Sequence, residues 1–90
     1  VERIAEEAPE DELEERDRPL YEALRARRSE LAKERKVPPY VVAHDRTLRD
    51  IARIRPISAD DLELARGMGR AKIAQYGEEL LRLVRSFAGR

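Results

Sequence analysis

The chain has 90 residues, which is enough for one domain with a small core. It has no cysteine, which excludes disulfides and thiolate metal sites, and its single histidine leaves no partner for a catalytic dyad. No apolar run approaches the ~18 residues of a membrane span, so we expect no membrane association and a cytoplasmic location. Because the chain begins with Val1 rather than Met, we expect a fragment of a longer protein.

The charge is divided unevenly along the chain. Residues 1–18 carry nine acidic and three basic side chains, a net charge of −6, whereas residues 19–90 carry ten acidic and sixteen basic ones, a net charge of +6. The stretch from Glu6 to Asp17 has one large apolar residue, Leu13, so we predict disorder or a frayed helix there. Residues 1–18 are either an acidic arm that opposes phosphate binding by a basic module, residues 19–90, or a solvated interdomain linker.

A long helix is predicted to begin at Pro19 and to run to about Lys36. Proline is pre-organised for the first position of a helix, and the Pro38-Pro39 pair ends the helix. The residues predicted to face the core recur at helical spacing: Leu20, Leu24 and Leu31.

The next segments are a connector and a short helix. We expect residues 37–44 to be a connector from which Val41 and Val42 enter the core. Asp45 or Thr47 is predicted to cap a helix that ends before Pro56. Its predicted core residues share one face: Leu48, Ile51 and Ala52.

Two further helices complete an all-α prediction of about five helices. Ser58 is predicted to cap the first of these, with Leu62 and Ala65 buried and Gly67 just past its end at positive φ. The last follows Gly69 and includes Gly77 as a bend or close-packing site. Its apolar stripe consists of Ile73, Tyr76, Leu80, Leu81, Leu83, Val84 and Phe87.

The first candidate binding motif is the elbow Val37-Pro38-Pro39-Tyr40-Val41-Val42. Two prolines fix the direction of Tyr40, whose ring is placed to stack on an unpaired base. The cations predicted to bind phosphates around it are Arg28, Lys33, Arg35, Lys36 and Arg46. The alternative is that Tyr40 packs into the core with its hydroxyl at the surface, as tyrosines in small domains usually do.

The second candidate motif is the junction Gly67-Met68-Gly69-Arg70-Ala71-Lys72. Its two glycines allow a tight turn after which the N–H groups of the next helix can meet a phosphate, with Arg70 and Lys72 as reinforcing cations. The arrangement is similar to a helix–hairpin–helix element. The alternative is a plain helical hairpin in which the glycines serve only chain reversal.

Chemistry beyond binding is not indicated. We predict no catalytic residue, no metal site and no cofactor, and we expect His44 to be a solvent-facing loop residue. The pairs Asp60-Asp61 and Glu78-Glu79 lie at or near helix N-termini, where the helix dipole already explains acidic residues.

These motifs together resemble the HRDC domain, which occurs near the C-terminus of RecQ-type DNA helicases and of ribonuclease D. The resemblance covers residues 20–87, and the elbow is typical of the bacterial RecQ branch. It is carried by Leu20-Tyr21-Glu22-Ala23-Leu24-Arg25, Leu31-Ala32, Glu34, the elbow, Thr47-Leu48, Ile51-Ala52, Pro56, Gly67, Gly69, Lys72 and Tyr76-Gly77.

The resemblance implies a compact five-helix fold and an accessory DNA-binding role within an ATP-dependent helicase. Tyr40 matches the family's exposed tyrosine that contacts single strands, and Arg28, Lys36 and Arg46 match its basic positions more loosely. Where many RecQ members have Phe, this chain has Ala43, which either trims the core or removes an apolar contact near the elbow.

Two functions follow as hypotheses. The first is a monomeric module of a bacterial helicase, associated with the nucleoid, that binds single-stranded or branched DNA and tunes the helicase's substrate choice in repair and recombination. The second is a regulatory module that docks on other domains of the parent helicase or on a partner, with weak or no DNA binding. Docking is favoured by the near-balanced charge of the whole chain, by the acidic arm and by the loss of an aromatic at Ala43.

Overall fold

The computed structural model describes residues 13–88, and these form helices and turns with no strand among them. The predicted disorder or fraying of residues 6–12 lies outside this range. A 3-10 turn, Glu15–Asp17, leads into the helices α1 Arg18–Arg35, α2 Pro39–Val42, α3 Asp45–Ile54 and α4 Ala59–Leu62. Helix α5, Arg70–Lys72, joins α6, Glu78–Ala88, through a π-helical turn, Ile73–Gly77. With 70–88 counted as one segment, the described residues contain five helices, as predicted.

Helix α1 is the centre of the fold and packs against α2, α3 and α6. It begins one residue before the predicted Pro19 and ends one residue before the predicted Lys36, which adopts φ 58°. The backbone N–H of Val37 then donates to the Ala32 carbonyl at 3.0 Å, a bond that closes the helix end.

The core contains nearly all the residues that the helical spacings predicted. Ile73, Leu83 and Phe87 are only partly buried at its edge. The buried members of the cluster are Leu20, Tyr21, Leu24, Leu31, Ala32, Val42, Ala43, Leu48, Ile51, Ala52, Leu62, Ala65, Met68, Tyr76, Leu80, Leu81 and Val84. Ala43 occupies a core position, so the small side chain there trims the core.

The connector between α1 and α3 differs from its prediction. Residues Pro39–Val42 form a helical turn because Pro39 fits the first helical position. Val42 is buried as expected, but the expectation for Val41 was wrong, since it is 39% exposed.

The predicted caps have different outcomes. Ser58 caps α4 as predicted, and its Oγ accepts a hydrogen bond from the Asp61 N–H at 3.2 Å. The predicted cap of α3 by Asp45 or Thr47 was wrong: His44 is the N-cap residue, and no side chain caps that end. Thr47 is instead buried within α3, and its hydroxyl bonds to the segment that follows α4.

The C-terminal part of the predicted arm packs on the domain. Leu13 is partly buried against the core, and Asp17 is buried with its Oδ1 3.1 Å from Nη2 of Arg55. Within the described residues no helix has the length and apolar character needed to span a membrane.

Candidate nucleic-acid interface

The elbow presents Tyr40 at the surface. Pro38 is extended, with φ −63° and ψ 151°, and Pro39 starts α2, so the backbone on both sides of the turn is restricted. The Tyr40 residue is 59% exposed, and its ring is stacked on His44 with centroids 6.0 Å apart and planes inclined by 25°. The alternative of a core tyrosine is therefore wrong for this position.

An open cleft of about 490 Å³ adjoins this ring. Aromatic, basic and acidic groups meet in it, which gives a bound molecule both a stacking surface and charged partners. The lining residues are Arg28, Pro39, Tyr40, His44, Asp45 and Arg46.

Arg28 forms the buried side of this cleft. It is 8% exposed, and its Nη1 donates to the Ala43 carbonyl at 2.9 Å and lies 2.7 Å from Oδ1 of Asp45. Its Nε is buried without a hydrogen-bond partner. The hydrogen bond from Arg28 lowers the pKa of Asp45; burial opposes this effect, and the charges of Arg28, Arg25 and Arg49 reinforce it.

A second cleft, of about 360 Å³, extends to the glycine junction. It is lined by His44, Arg46, Thr47, Arg66 and Gly67. His44 and Arg46 line both clefts, so the two clefts adjoin. The tertiary structure thus brings the elbow and one end of the glycine junction, which are separate in sequence, to one surface.

Buried polar bonds hold the junction against α3. Thr47 Oγ1 donates to the Arg66 carbonyl at 2.6 Å. The buried Asp50 carboxylate accepts from the Arg66 backbone N–H at 2.9 Å, from Nε at 2.8 Å and from Nη2 at 2.9 Å, and it also pairs with Arg53. Burial raises the pKa of Asp50, but the Arg66 hydrogen bonds and the Arg66 and Arg53 charges outweigh this effect and lower the pKa overall.

The two glycines of the junction differ in their constraints. Gly67 has φ +83°, which confirms the predicted positive φ, although α4 ends earlier, at Leu62. A Cβ at Gly67 would lie 2.8 Å from Thr47 Oγ1. Gly69 has φ −86°, and a Cβ there would meet nothing within 4 Å.

Comparisons with known proteins match this arrangement to one family. The HRDC domain family model matches residues 17–84. This chain belongs to the HRDC family. The solved structure described as D. radiodurans RecQ HRDC domain 3 superposes with a TM-score of 0.75 at 34% identity, covering 78% of this chain and 92% of that one. The all-α five-helix prediction is thereby confirmed.

The relatives are parts of longer proteins. The ATP-dependent DNA helicase RecQ of Bacillus subtilis is 39% identical over 69 residues, and the ATP-dependent DNA helicase UvrD2 of Mycobacterium bovis is 42% identical over 69 residues. Each alignment covers 77% of this chain but only 12% and 10% of those relatives. The HRDC domain is thus one small domain within ATP-dependent helicases of bacteria.

Several cations predicted for this HRDC domain lie outside the two clefts. Arg35 places its guanidinium over the Tyr76 ring, 5.1 Å from the centroid, and so lies against the π-helical turn. Arg70 is highly exposed, with Glu63 at 3.8 Å. The predicted binding residues that line neither cleft are Lys33, Arg35, Lys36, Gly69, Arg70 and Lys72.

Three further residues line the clefts or hold their walls but are not among the predicted binding residues. His44 is an exposed loop residue as predicted, but it also lines both clefts and stacks on Tyr40. The spacing of four residues between Tyr40 and His44 is the sequence feature that could have indicated their contact. No local sequence pattern indicated a role for Asp45 or Arg66, because their partners Arg28 and Asp50 lie 17 and 16 positions away in sequence.

Proposed function

We propose that this HRDC domain is an accessory DNA-binding module of a RecQ-type helicase. It binds single-stranded or branched DNA and thereby influences which structures the helicase engages in repair and recombination. The observation that carries the proposal is the exposed, stacked Tyr40 ring at the mouth of a cleft that also contains arginine side chains. Base–aromatic stacking of this kind is worth roughly 1–3 kcal/mol per base.

We propose that single-stranded DNA follows a defined course across this surface. A base stacks on Tyr40, and the backbone continues past Arg46 toward Gly67, since Arg46 lines both clefts. No ion pair or hydrogen bond of the Arg46 side chain occurs within the described residues, so its charge is available to a phosphate. Arg28, by contrast, is held by Asp45 and Ala43 and shapes the cleft. Lys33, Lys36, Gly69, Arg70 and Lys72 extend the predicted contacts beyond the two clefts.

The test is a fluorescence anisotropy titration of a single-stranded oligonucleotide at two salt concentrations. We expect Tyr40→Leu to weaken binding by roughly 5- to 100-fold, in line with the loss of one stacked base. Tyr40→Phe retains the ring and is the matched control. Because Tyr40 is largely exposed, both variants should unfold at nearly the wild-type temperature. Equal affinity of Tyr40→Leu and Tyr40→Phe would refute the stacking contact.

The acidic residues at the N-terminus supply a further arm of the same experiment. Residues 1–12 carry six of the nine acidic side chains of the predicted arm. We propose that they compete with DNA for the basic surface. A variant with these six neutralised to Gln and Asn should bind the oligonucleotide more tightly, most clearly at low salt. Unchanged affinity would favour a plain interdomain linker.

The second candidate function is docking on the parent helicase or a partner protein. It is favoured by two large apolar side chains that line neither cleft, Ile57 at 70% and Leu64 at 69% exposure. Crosslinking to the remaining helicase domains tests it. Docking would be supported if Ile57→Ser or Leu64→Ser abolished the crosslink while leaving the DNA affinity unchanged. The absence of any crosslink at micromolar concentration would count against docking.

A further inference from the structure

One acidic side chain lies in the cleft proposed to bind DNA. Asp45 lines the cleft together with Tyr40 and His44, and its side chain is 52% exposed. Its Oδ1 lies 2.7 Å from Nη1 of Arg28. About half of the Asp45 side chain is exposed, so its carboxylate is accessible to a ligand in the cleft.

This carboxylate is ionised at neutral pH. The hydrogen bond from Arg28 keeps the pKa of Asp45 below its usual range, and Arg25, Arg28 and Arg49 contribute positive charge around it. An ionised carboxylate accepts hydrogen bonds and donates none. A phosphate close to this carboxylate would be repelled, whereas a nitrogen-bound hydrogen would be attracted.

The bases of DNA differ in what they offer to such an acceptor. Cytosine, adenine and guanine each carry an exocyclic amino group, and aspartate or glutamate accepting from cytosine N4 is a known pairing in base recognition. Thymine and uracil present a carbonyl oxygen where cytosine has its amino group, and a carboxylate repels that oxygen; their one donor on that edge is N3–H. A base stacked on Tyr40 brings its edge into the cleft that Asp45 lines.

We propose that the cleft beside Tyr40 is a base-selective subsite in which Asp45 favours an amino-bearing base, cytosine above all among the pyrimidines, over thymine and uracil. The inference rests on the proposed single-strand binding and adds a preference to it. Arg28 is a positioning residue here, because it fixes the Asp45 carboxylate from the buried side of the cleft.

The experiment compares two oligonucleotides whose bases differ at position 4, an amino group in cytosine and a carbonyl in uracil, and at N3, which carries a hydrogen only in uracil. Oligo-deoxycytidine and oligo-deoxyuridine of about 12 nucleotides are titrated against the full chain by anisotropy at pH 8. We expect the cytidine strand to bind at least about fivefold more tightly, which corresponds to one favourable base contact. Asp45→Asn should bring this ratio close to one, because an amide can donate to the uracil carbonyl as well as accept.

Each result has a defined meaning. Equal affinity of the wild type for the two strands overturns the base preference but leaves the proposed function standing. A preference that persists in folded Asp45→Asn overturns the role of Asp45. No binding of either strand overturns the proposed function and the inference together. If Asp45→Asn fails to fold, the wild-type ratio still decides the preference, and Tyr40→Leu, which should lower both affinities and the ratio, decides its location.

Discussion

The glycine junction allows a quantitative prediction because its two glycines are constrained so differently. In Gly67→Ala, the backbone must keep φ +83°, which costs a residue with a Cβ roughly 1–2 kcal/mol. The new Cβ would lie 2.8 Å from Thr47 Oγ1 and would displace the hydroxyl from the Arg66 carbonyl. Loss of that hydrogen bond costs about 1 kcal/mol.

The net effect is reduced slightly by the unfolded state. Replacing Gly by Ala lowers the entropy of the unfolded chain and returns about 0.5 kcal/mol. We therefore expect the free energy of unfolding to fall by about 2 kcal/mol. For a domain of this size that corresponds to a decrease in Tm of roughly 8–16 °C.

The assay is urea and thermal unfolding followed by circular dichroism, with Gly69→Ala as the matched control. Gly69 has an ordinary φ and open space at its Cβ, but it is the N-cap residue of α5, where Ala is less favourable than Gly; the two effects offset, so Gly69→Ala should change stability by less than about 0.5 kcal/mol. Combining Gly67→Ala with Thr47→Ala removes the clash, so the double variant should lose less than the sum of the single changes. If Gly67→Ala and Gly69→Ala unfold alike, the account of the junction is wrong.

Three further predictions concern other sites. Lys36 has φ 58°, so Lys36→Gly should raise the free energy of unfolding, measured by urea denaturation, by about 1 kcal/mol. A lower free energy of unfolding in this variant would contradict backbone strain at Lys36. Asp50→Asn should destabilise the domain by about 3 kcal/mol, because it removes the charge that pairs with Arg66 and Arg53. The pKa of Asp50 is lower in the folded state than in the unfolded state, so the ionised carboxylate stabilises the fold above the unfolded-state pKa, and this stabilisation is lost as the pH falls through the folded-state pKa. The Tm of the wild type should therefore fall in acid, and the Tm of Asp50→Asn should depend less on pH. Arg46→Gln should reduce the salt dependence of single-strand binding by about 0.7 in logarithmic slope, while Arg82→Gln, on α6 and lining neither cleft, should not change it.

Local sequence patterns predicted most of the secondary structure. Pro19 and the Pro38-Pro39 pair bracketed α1 to within one residue, because proline acts on its own backbone and on its immediate neighbours. Ser58 was found because a capping hydroxyl needs only an N–H three residues ahead. The wrong cap predicted for α3 also arises because local patterns consider only neighbours in sequence. Thr47 has the right residue type for a cap, but its hydroxyl bonds to Arg66, which lies 19 positions away.

The candidate site was predictable only in part. Tyr40 and Arg46 stood out because prolines and cations surround them in sequence, and both line the cleft. The connection of the elbow to Gly67 was not predictable, since it depends on how α3 packs against the junction. The pairing of Asp45 with Arg28 was not predictable either, and it leaves Arg28 less available to DNA than its charge suggested.

The sequence by itself determined the longer helices, most of their apolar faces and the two motifs, because these depend on neighbours within about one helical turn. The tertiary structure decided which charges are paired within the fold and which remain available at the surface. Arg28, Arg55 and Arg66 look alike in sequence to Arg46, yet each is bonded to a carboxylate that folding brings close. The physical reason is that an ion pair depends on separation in space, and packing of helices from distant parts of the chain sets that separation.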